Sequence, residues 1–563
     1  LTIRRTDFSQ TISEEPTVVT PSGTVRGVRW LSRRGRSFAA FRGLRYAEPP
    51  TGERRFQPPE LITRYKEEVD ARAEGPGCPQ PVRDPTTVDE DCLRLNVYTP
   101  AGNSSAPLPV VVYIHAGGFY SVSGRSEIAG PHYLMDRDIV FVTINYRLGS
   151  LGFIATGDKH APGNNGFKDQ VAALRWVQRN IAAFGGDPNL VTVAGYSAGS
   201  FSVMLHLVSP MSKGLFHRAI SMSGSPISQV VIGPHQRPLA VRQARVLGCP
   251  SHSSKAIIDC LKTKTAKELG DSLDDMFEFG YDPILMWNAV VEPDVGQERF
   301  LAEQPLDAVK RGLHVPYIVS QTTGEFFWKA FSEYQSNQTL INTMNSEWER
   351  IAAIAFLLPK ENEEAASQSL RQFYLHRKPV ANDTETATGL GKLYGDSVIG
   401  FGVHRLANLM CRHSSENVYY YEFAYIGNSS HYVDPVTKKP VRAAHHDDLI
   451  YLLSLPAGFP VIPADDSKDS RQVDRMTALW YNFARYGDPN PRADTPELSG
   501  LNWPAMTPNK RQYLRVADEL TVKSNMFEDR FAEWERLYPI QYGPPKRNRK
   551  YSTFLLSSMY MGL

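Results

Sequence analysis

Gly195-Tyr196-Ser197-Ala198-Gly199 sets a hydroxyl between two glycines, after an apolar run ending at Ala194 and before a mixed small and apolar stretch, Ala198 to Leu207. In a glycine-x-serine-x-glycine elbow, a strand turns sharply into a helix and lifts the serine hydroxyl above the sheet, where a base can reach it. Glycines are needed because neighbouring backbone comes close, and the N-terminus of the following helix favours developing negative charge. The chemistry implied is nucleophilic attack of Ser197 on an acyl carbonyl. An ordinary small-residue turn also fits five such residues, so the pattern needs partners. One is His115-Ala116-Gly117-Gly118, after the apolar run Val110 to Ile114. Alone it reads as a glycine turn ending a strand. Beside the elbow it resembles a loop of backbone donors, with the N–H groups of Gly117, Gly118 and Ala198 forming an oxyanion hole. Such donors commonly lower the barrier to acyl transfer by about 3 to 4 kcal/mol each.

The elements that would position these groups are visible as apolar runs. Thr24 to Trp30 and Phe38 to Arg42 are strand-like, and the proline-rich Glu48 to Pro59 follows them. Leu95 to Thr99, Val110 to His115 and Ile139 to Asn145 have strand length. The last two lack alternation, as buried parallel strands do. Phe167 to Phe184 has apolar residues at helical spacing and stops at Gly185-Gly186-Asp187-Pro188. Leu190 to Ala194 reads as the strand entering the elbow. Helical segments dominate from Lys255 to Leu375, interrupted by the strand-like Tyr317 to Ser320; Val418 to Phe423 is a late strand, and helices are expected over Arg475 to Tyr486 and Met526 to Leu537. With no internal repeat and no low-complexity linker, one large decorated domain over 1–541 is expected. Residues 542–563, with Gly543-Pro544-Pro545 before Lys546-Arg547-Asn548-Arg549-Lys550, read as a basic mobile tail, the rarer alternative being a membrane or partner anchor.

Composition narrows the partners. With 62 basic against 60 acidic side chains in 563 residues, the net charge of +2 supplies no broad field for nucleic acid or an anionic membrane. No run approaches the roughly 20 apolar residues of a membrane-spanning helix. No zinc or calcium ligand spacing stands out, and no cofactor is expected. The start at Leu1, without methionine or signal-type segment, reads as a mature or trimmed chain. Cys78 and Cys92 enclose a short loop, as do Cys249 and Cys260, so two local bridges with Cys411 left over are expected. In a reducing compartment the same five residues would be free thiols. Four glycosylation sequons, at Asn103, Asn337, Asn382 and Asn428, join the cysteine spacing in favouring secretion. Oligomeric state is not written in the sequence.

The two motifs occur with others in an order that resembles the type-B carboxylesterase and cholinesterase family. Phe41-Arg42-Gly43-Leu44-Arg45-Tyr46-Ala47-Glu48-Pro49-Pro50 is similar to its N-terminal signature, and Glu90-Asp91-Cys92-Leu93-Arg94-Leu95-Asn96-Val97-Tyr98 to its second pattern. Asn164 to Ser200, with Asp169-Gln170 and Phe184-Gly185-Gly186-Asp187-Pro188, resembles the run into the nucleophile. The resemblance spans about Pro16 to Tyr538. It implies an α/β-hydrolase fold, a large and mostly parallel sheet flanked by helices, and hydrolysis of carboxylic esters. It also implies the rest of a triad: Glu325, after Tyr317 to Ser320 and Gln321-Thr322-Thr323-Gly324, and His445 in Ala444-His445-His446-Asp447-Asp448-Leu449-Ile450-Tyr451, with His446 the adjacent rival. His206 and His217 read as structural.

Three positions depart from the family pattern. Tyr196 stands where Glu or Gln is usual, Ala116 replaces a loop glycine, and Phe326 follows Glu325 where glycine is common. None removes a reacting group. The loop from Cys78 to Cys92 has no tryptophan, where cholinesterases carry a choline-binding one, so a choline ester is not expected. The chain is most similar to insect-type carboxylesterases, which act on xenobiotic, odorant or pheromone, and hormone esters. The other reading is a non-catalytic or weakly catalytic binding or adhesion protein of the same fold, in relatives of which triad members are lost.

Overall fold

The computed structural model describes residues 15–82, 87–100, 106–334, 337–434 and 437–543. Its strands, in chain order, are β1 (Thr17–Thr20), β2 (Gly23–Arg26), β3 (Val28–Leu31), β4 (Ser37–Arg45), β5 (Val69–Asp70), β6 (Arg94–Pro100) and β7 (Leu108–Ile114). The later ones are β8 (Val140–Ile144), β9 (Gly186–Tyr196), β10 (Arg218–Met222), β11 (Tyr317–Thr322), β12 (Val418–Phe423), β13 (Gln512–Val516) and β14 (Leu520–Ser524). A small sheet has the order β1-β2-β5, and a large one has the order β14-β13-β12-β11-β10-β9-β7-β8-β6-β4-β3. From β8 across to β13 every pairing is parallel, whereas β14 and the β6-β4-β3 edge pair antiparallel. This is an α/β-hydrolase fold, a large mixed sheet flanked by helices.

The non-alternating strands follow from burial on both faces. Every residue of β7, β8, β11 and β12 is buried. Along β7, Val110, Val112 and Ile114 belong to one hydrophobic cluster, and Val111 and Tyr113 to another. On the first face lie the helices Asn165–Asn180, Ala198–Val208 and Phe401–His413; on the second lies Lys468–Tyr486, through Val473, Met476, Leu479, Trp480 and Phe483. Apolar area removed from water on both sides, at about 25 cal/mol per Å², holds the sheet between these layers.

The elements differ from the sequence expectation mainly at their ends. β9 begins at Gly186, four residues before Leu190, because Leu108 pairs with Gly186 before the register shifts ahead of Val110. The proline falls in the shifted stretch, where no ladder donor is required. The β13-β14 hairpin has no strand signal in the sequence: its last strand is half exposed, so no continuous apolar run marks it. Disulfides join Cys78 to Cys92 and Cys249 to Cys260, and Cys411 is a free, partly buried thiol. Tyr542 packs on the body: its carbonyl accepts from His413 Nε2 at 2.7 Å, and Arg412 lies over its ring. The body thus continues past 541, and 544–563 lie outside the described residues. Among those described, no helix is long and apolar enough to cross a membrane.

Just after β8, Arg147 is clasped by Asp169 on the helix Asn165–Asn180. Its N–H, Nε and Nη2 reach the two carboxylate oxygens at 3.0, 2.8 and 2.7 Å, and both side chains are buried. Removing one partner of a buried pair strands the other charge. Asp169→Ala is therefore expected to lower the stability of the protein by about 3 to 5 kcal/mol, read from chemical denaturation.

Candidate active site

Parallel strands deliver their loops to one edge, and in open α/β sheets the carboxyl ends of the strands form the crevice where ligands bind. Four segments meet there. β9 ends at Tyr196, and Ser197 turns the chain with φ 53° and ψ −116°, a conformation that non-glycine residues rarely adopt. The turn is fixed by its surroundings: Ser197 N–H donates to Met222 O at the end of β10 at 2.8 Å, and Ser197 O accepts from Phe201 N–H at 3.0 Å. Helix Ala198–Val208 follows, and a Cβ on Gly199 would lie 2.0 Å from Ile114 O, so only glycine lets this helix approach β7. Ser197 is the N-cap residue, yet its side chain makes no capping hydrogen bond, leaving the hydroxyl available.

After β7 the chain runs through Gly117 at φ 108°, where a Cβ would collide with Ser121 O at 2.0 Å. Gly117 O accepts from the N–H groups of Tyr120 and Ser121, both at 2.9 Å, closing a tight turn. Among the described residues none accepts from the N–H groups of Gly117, Gly118 or Ala198. Backbone donors left over near a serine hydroxyl at a helix N-terminus can stabilise an oxyanion. His115 does not compete for chemistry. Its Nδ1 meets Ala116 O at 2.7 Å, its ring stacks on Tyr146, and burial pushes it down to about 4, so it is neutral.

The acid and histidine loops are stitched to each other. Gly324 N–H donates to Ala443 O at 3.0 Å and His445 N–H to Glu325 O at 3.2 Å. These backbone bonds bring the side chains together: His445 Nδ1 lies 2.5 Å from Glu325 Oε2. The other carboxylate oxygen accepts from Ser223 Oγ at 2.7 Å and Thr322 N–H at 2.6 Å. Both residues are buried, at 4% and 2% exposure, so the pair is shielded from water. Among the described residues His445 Nε2 is buried with no hydrogen-bond partner, available for a hydroxyl proton. Phe326 packs on the His445 ring at 4.3 Å. His446 makes no bond to Glu325; its N–H donates to Tyr196 Oη, and burial, then the neighbouring His445, holds its imidazole far below the usual range.

Two neighbours have roles that the sequence motifs do not assign. Ser223, which completes the Glu325 carboxylate, is one small residue among several after β10. Asp447 organises the histidine loop by accepting from Ala444 N–H, Ser430 Oγ and His431 N–H at 2.8, 2.6 and 2.7 Å. His206 is structural: its nitrogens meet Ser212 Oγ and Gln170 Oε1. His217 Nδ1 accepts from Val191 N–H. Asn337, Asn382 and Asn428 are exposed, although Asn428 Nδ2 donates to Asp469; Asn103 lies outside the described residues.

Asp448 is fully buried near Glu325, and burial first, then the Glu325 carboxylate, raises its carboxyl to about 8. An unfolded aspartate titrates near 4, so from roughly pH 4 to 8 the native state holds a proton that the unfolded chain has lost. Stability from this group therefore falls as pH rises through that window. Asp448→Asn removes the dependence: its melting temperature is expected to exceed that of the wild type by most at pH 8 and above, with the difference vanishing near pH 4.

Comparison with known proteins agrees with this architecture. The sequence profile of the Carboxylesterase family matches residues 14–534. Juvenile hormone esterase of Tribolium castaneum is 37% identical over 531 residues, covering 89% of this chain and 88% of its own. Esterase FE4 of Myzus persicae is 36% identical over 494 residues, covering 85% and 86% respectively. The crystal structure of juvenile hormone esterase from Manduca sexta, with OTFP covalently attached, is similar with a TM-score of 0.81 and 27% identity, over 93% of this chain and all of that one. The chain belongs to the carboxylesterase family and is a serine carboxylic ester hydrolase.

Proposed function

We propose that Ser197 is the nucleophile, His445 the general base and Glu325 the acid that orients it, and that Gly117, Gly118 and Ala198 donate to the oxyanion. The observation that carries this reading is the fully bonded Glu325 carboxylate holding His445 by Nδ1, which leaves the buried Nε2 unpartnered at the edge where the Ser197 hydroxyl is free. His445 takes the Ser197 proton as Oγ attacks the ester carbonyl and returns it to the leaving alcohol; water, activated the same way, then releases the acid. Glu325 keeps the imidazole in the tautomer with its proton on Nδ1 and stabilises the charged form.

The substrates are small to medium lipophilic esters. Phe326 packs on His445 and Tyr120 lies beside Gly118, so aromatic side chains adjoin two of these residues, and the relatives include two juvenile hormone esterases. A purely binding role, which goes with loss of triad members, finds no such loss here. The hydrolase is a single domain, and two disulfides with exposed sequon asparagines support secretion into an oxidising compartment.

A fluorophosphonate is expected to label Ser197, located by mass spectrometry, with loss of p-nitrophenyl acetate turnover in proportion. Ser197→Ala and His445→Ala should each lower kcat by about 10⁴- to 10⁶-fold while the fold is retained. A folded wild-type protein without label or turnover would overturn the assignment. A panel of acetate, longer acyl and juvenile hormone esters then ranks substrates by kcat/KM.

A further inference from the structure

Ser197 and His445 are each one residue away from a partner in a second, less obvious contact. Tyr196, the last residue of β9, is fully buried, and its hydroxyl oxygen accepts from His446 N–H at 2.8 Å, across 250 residues of sequence. Its ring lies 5.1 Å from that of His445 and 4.7 Å from that of His446. His446 has φ 79°, in the left-handed region that favours glycine. An L-residue stays there only when its surroundings hold it. Within the loop, Asp447 ties down residues 430, 431 and 444, all on the histidine side. Tyr196 instead ties the loop to the strand that carries the nucleophile.

We propose that Tyr196 and His446 form a matched clamp that sets where His445 sits relative to Ser197. This rests on the reading of Ser197 and His445 as nucleophile and base. Two bridges then fix their separation. One runs through the acid, from Ser223 to Glu325 to His445 Nδ1. The other runs behind the imidazole, from Ser197 through the Tyr196 side chain to His446 and back to His445. The first bridge fixes one ring nitrogen and leaves the ring able to swing about it; the second fixes the backbone from which the ring hangs. Tyr196 and His446 are positioning residues and touch no reacting atom. The clamp gives a physical role to Tyr196, which occupies the position of the usual Glu or Gln: a phenol reaches the loop backbone as an acceptor and packs both imidazoles without adding a charge beside Glu325.

A double-mutant cycle tests the clamp. Tyr196→Phe keeps the ring and removes the acceptor, so His446 keeps the bond from Leu449 N–H to its carbonyl but loses the partner of its own N–H, and His445 shifts. Misplacement by about 1 Å costs up to about 100-fold, and kcat on p-nitrophenyl acetate should fall by about 10- to 100-fold with KM within about twofold. His446→Gly takes up the same backbone conformation without strain. In that background Tyr196→Phe should lower kcat by less than about threefold. Equal losses in the two backgrounds would overturn the clamp, as would a Tyr196→Phe effect confined to KM or to thermal stability. Fluorophosphonate labelling of Ser197 in the wild type is read alongside. Its absence would remove the triad reading itself, whereas label on Ser197 with no coupling in the cycle would remove only the clamp.

Discussion

At the end of β9 the chain reverses through Ser197 in a backbone conformation that costs on the order of 1 to 3 kcal/mol by itself. Everything at the catalytic edge depends on that turn being held. The bond from Ser197 N–H to Met222 O ties it to β10, and the approach of the helix Ala198–Val208 to Ile114, possible only with glycine at 199, ties it to β7. Both anchors are buried strands in the middle of an eleven-stranded sheet with a hydrophobic layer on each face. The strain at one residue is thus offset by packing distributed over the whole domain. The serine and the glycine loop thereby follow the carboxyl ends of two neighbouring parallel strands, β9 and β7.

A second constraint is electrostatic. Glu325 lies almost out of water, where an unsatisfied carboxylate would be costly. Ser223 Oγ, Thr322 N–H and His445 Nδ1 satisfy it, and the backbone bonds between the acid and histidine loops make the geometry cooperative. Two titratable groups nearby are kept uncharged: burial and the neighbouring imidazoles disfavour protonation of His446, and Asp448 carries its proton up to about pH 8.

How much of this was legible differs by kind of feature. The buried strands were readable because burial on both faces writes continuous apolar runs such as Val110 to Ile114, and the helix Asn165–Asn180 because its apolar residues recur on one face. The half-exposed hairpin Gln512 to Ser524 left no comparable run. The elbow and glycine loop were readable because close backbone approach demands particular residues at fixed local spacing. Glu325 and His445 were reached only through resemblance, since sixty acidic and fourteen histidine side chains offer many pairings.

By itself the sequence determined the local chemistry: a serine on a glycine-bounded turn, a loop of glycine donors, the strands behind them and the cysteines able to close short loops. Tertiary structure decided which of two adjacent histidines meets the acid, which serine completes the carboxylate and what Tyr196 touches. Those contacts join residues separated by 120, 102 and 250 positions. Strand order and register bring such residues together, and no local pattern encodes a distance set by the packing of the whole sheet.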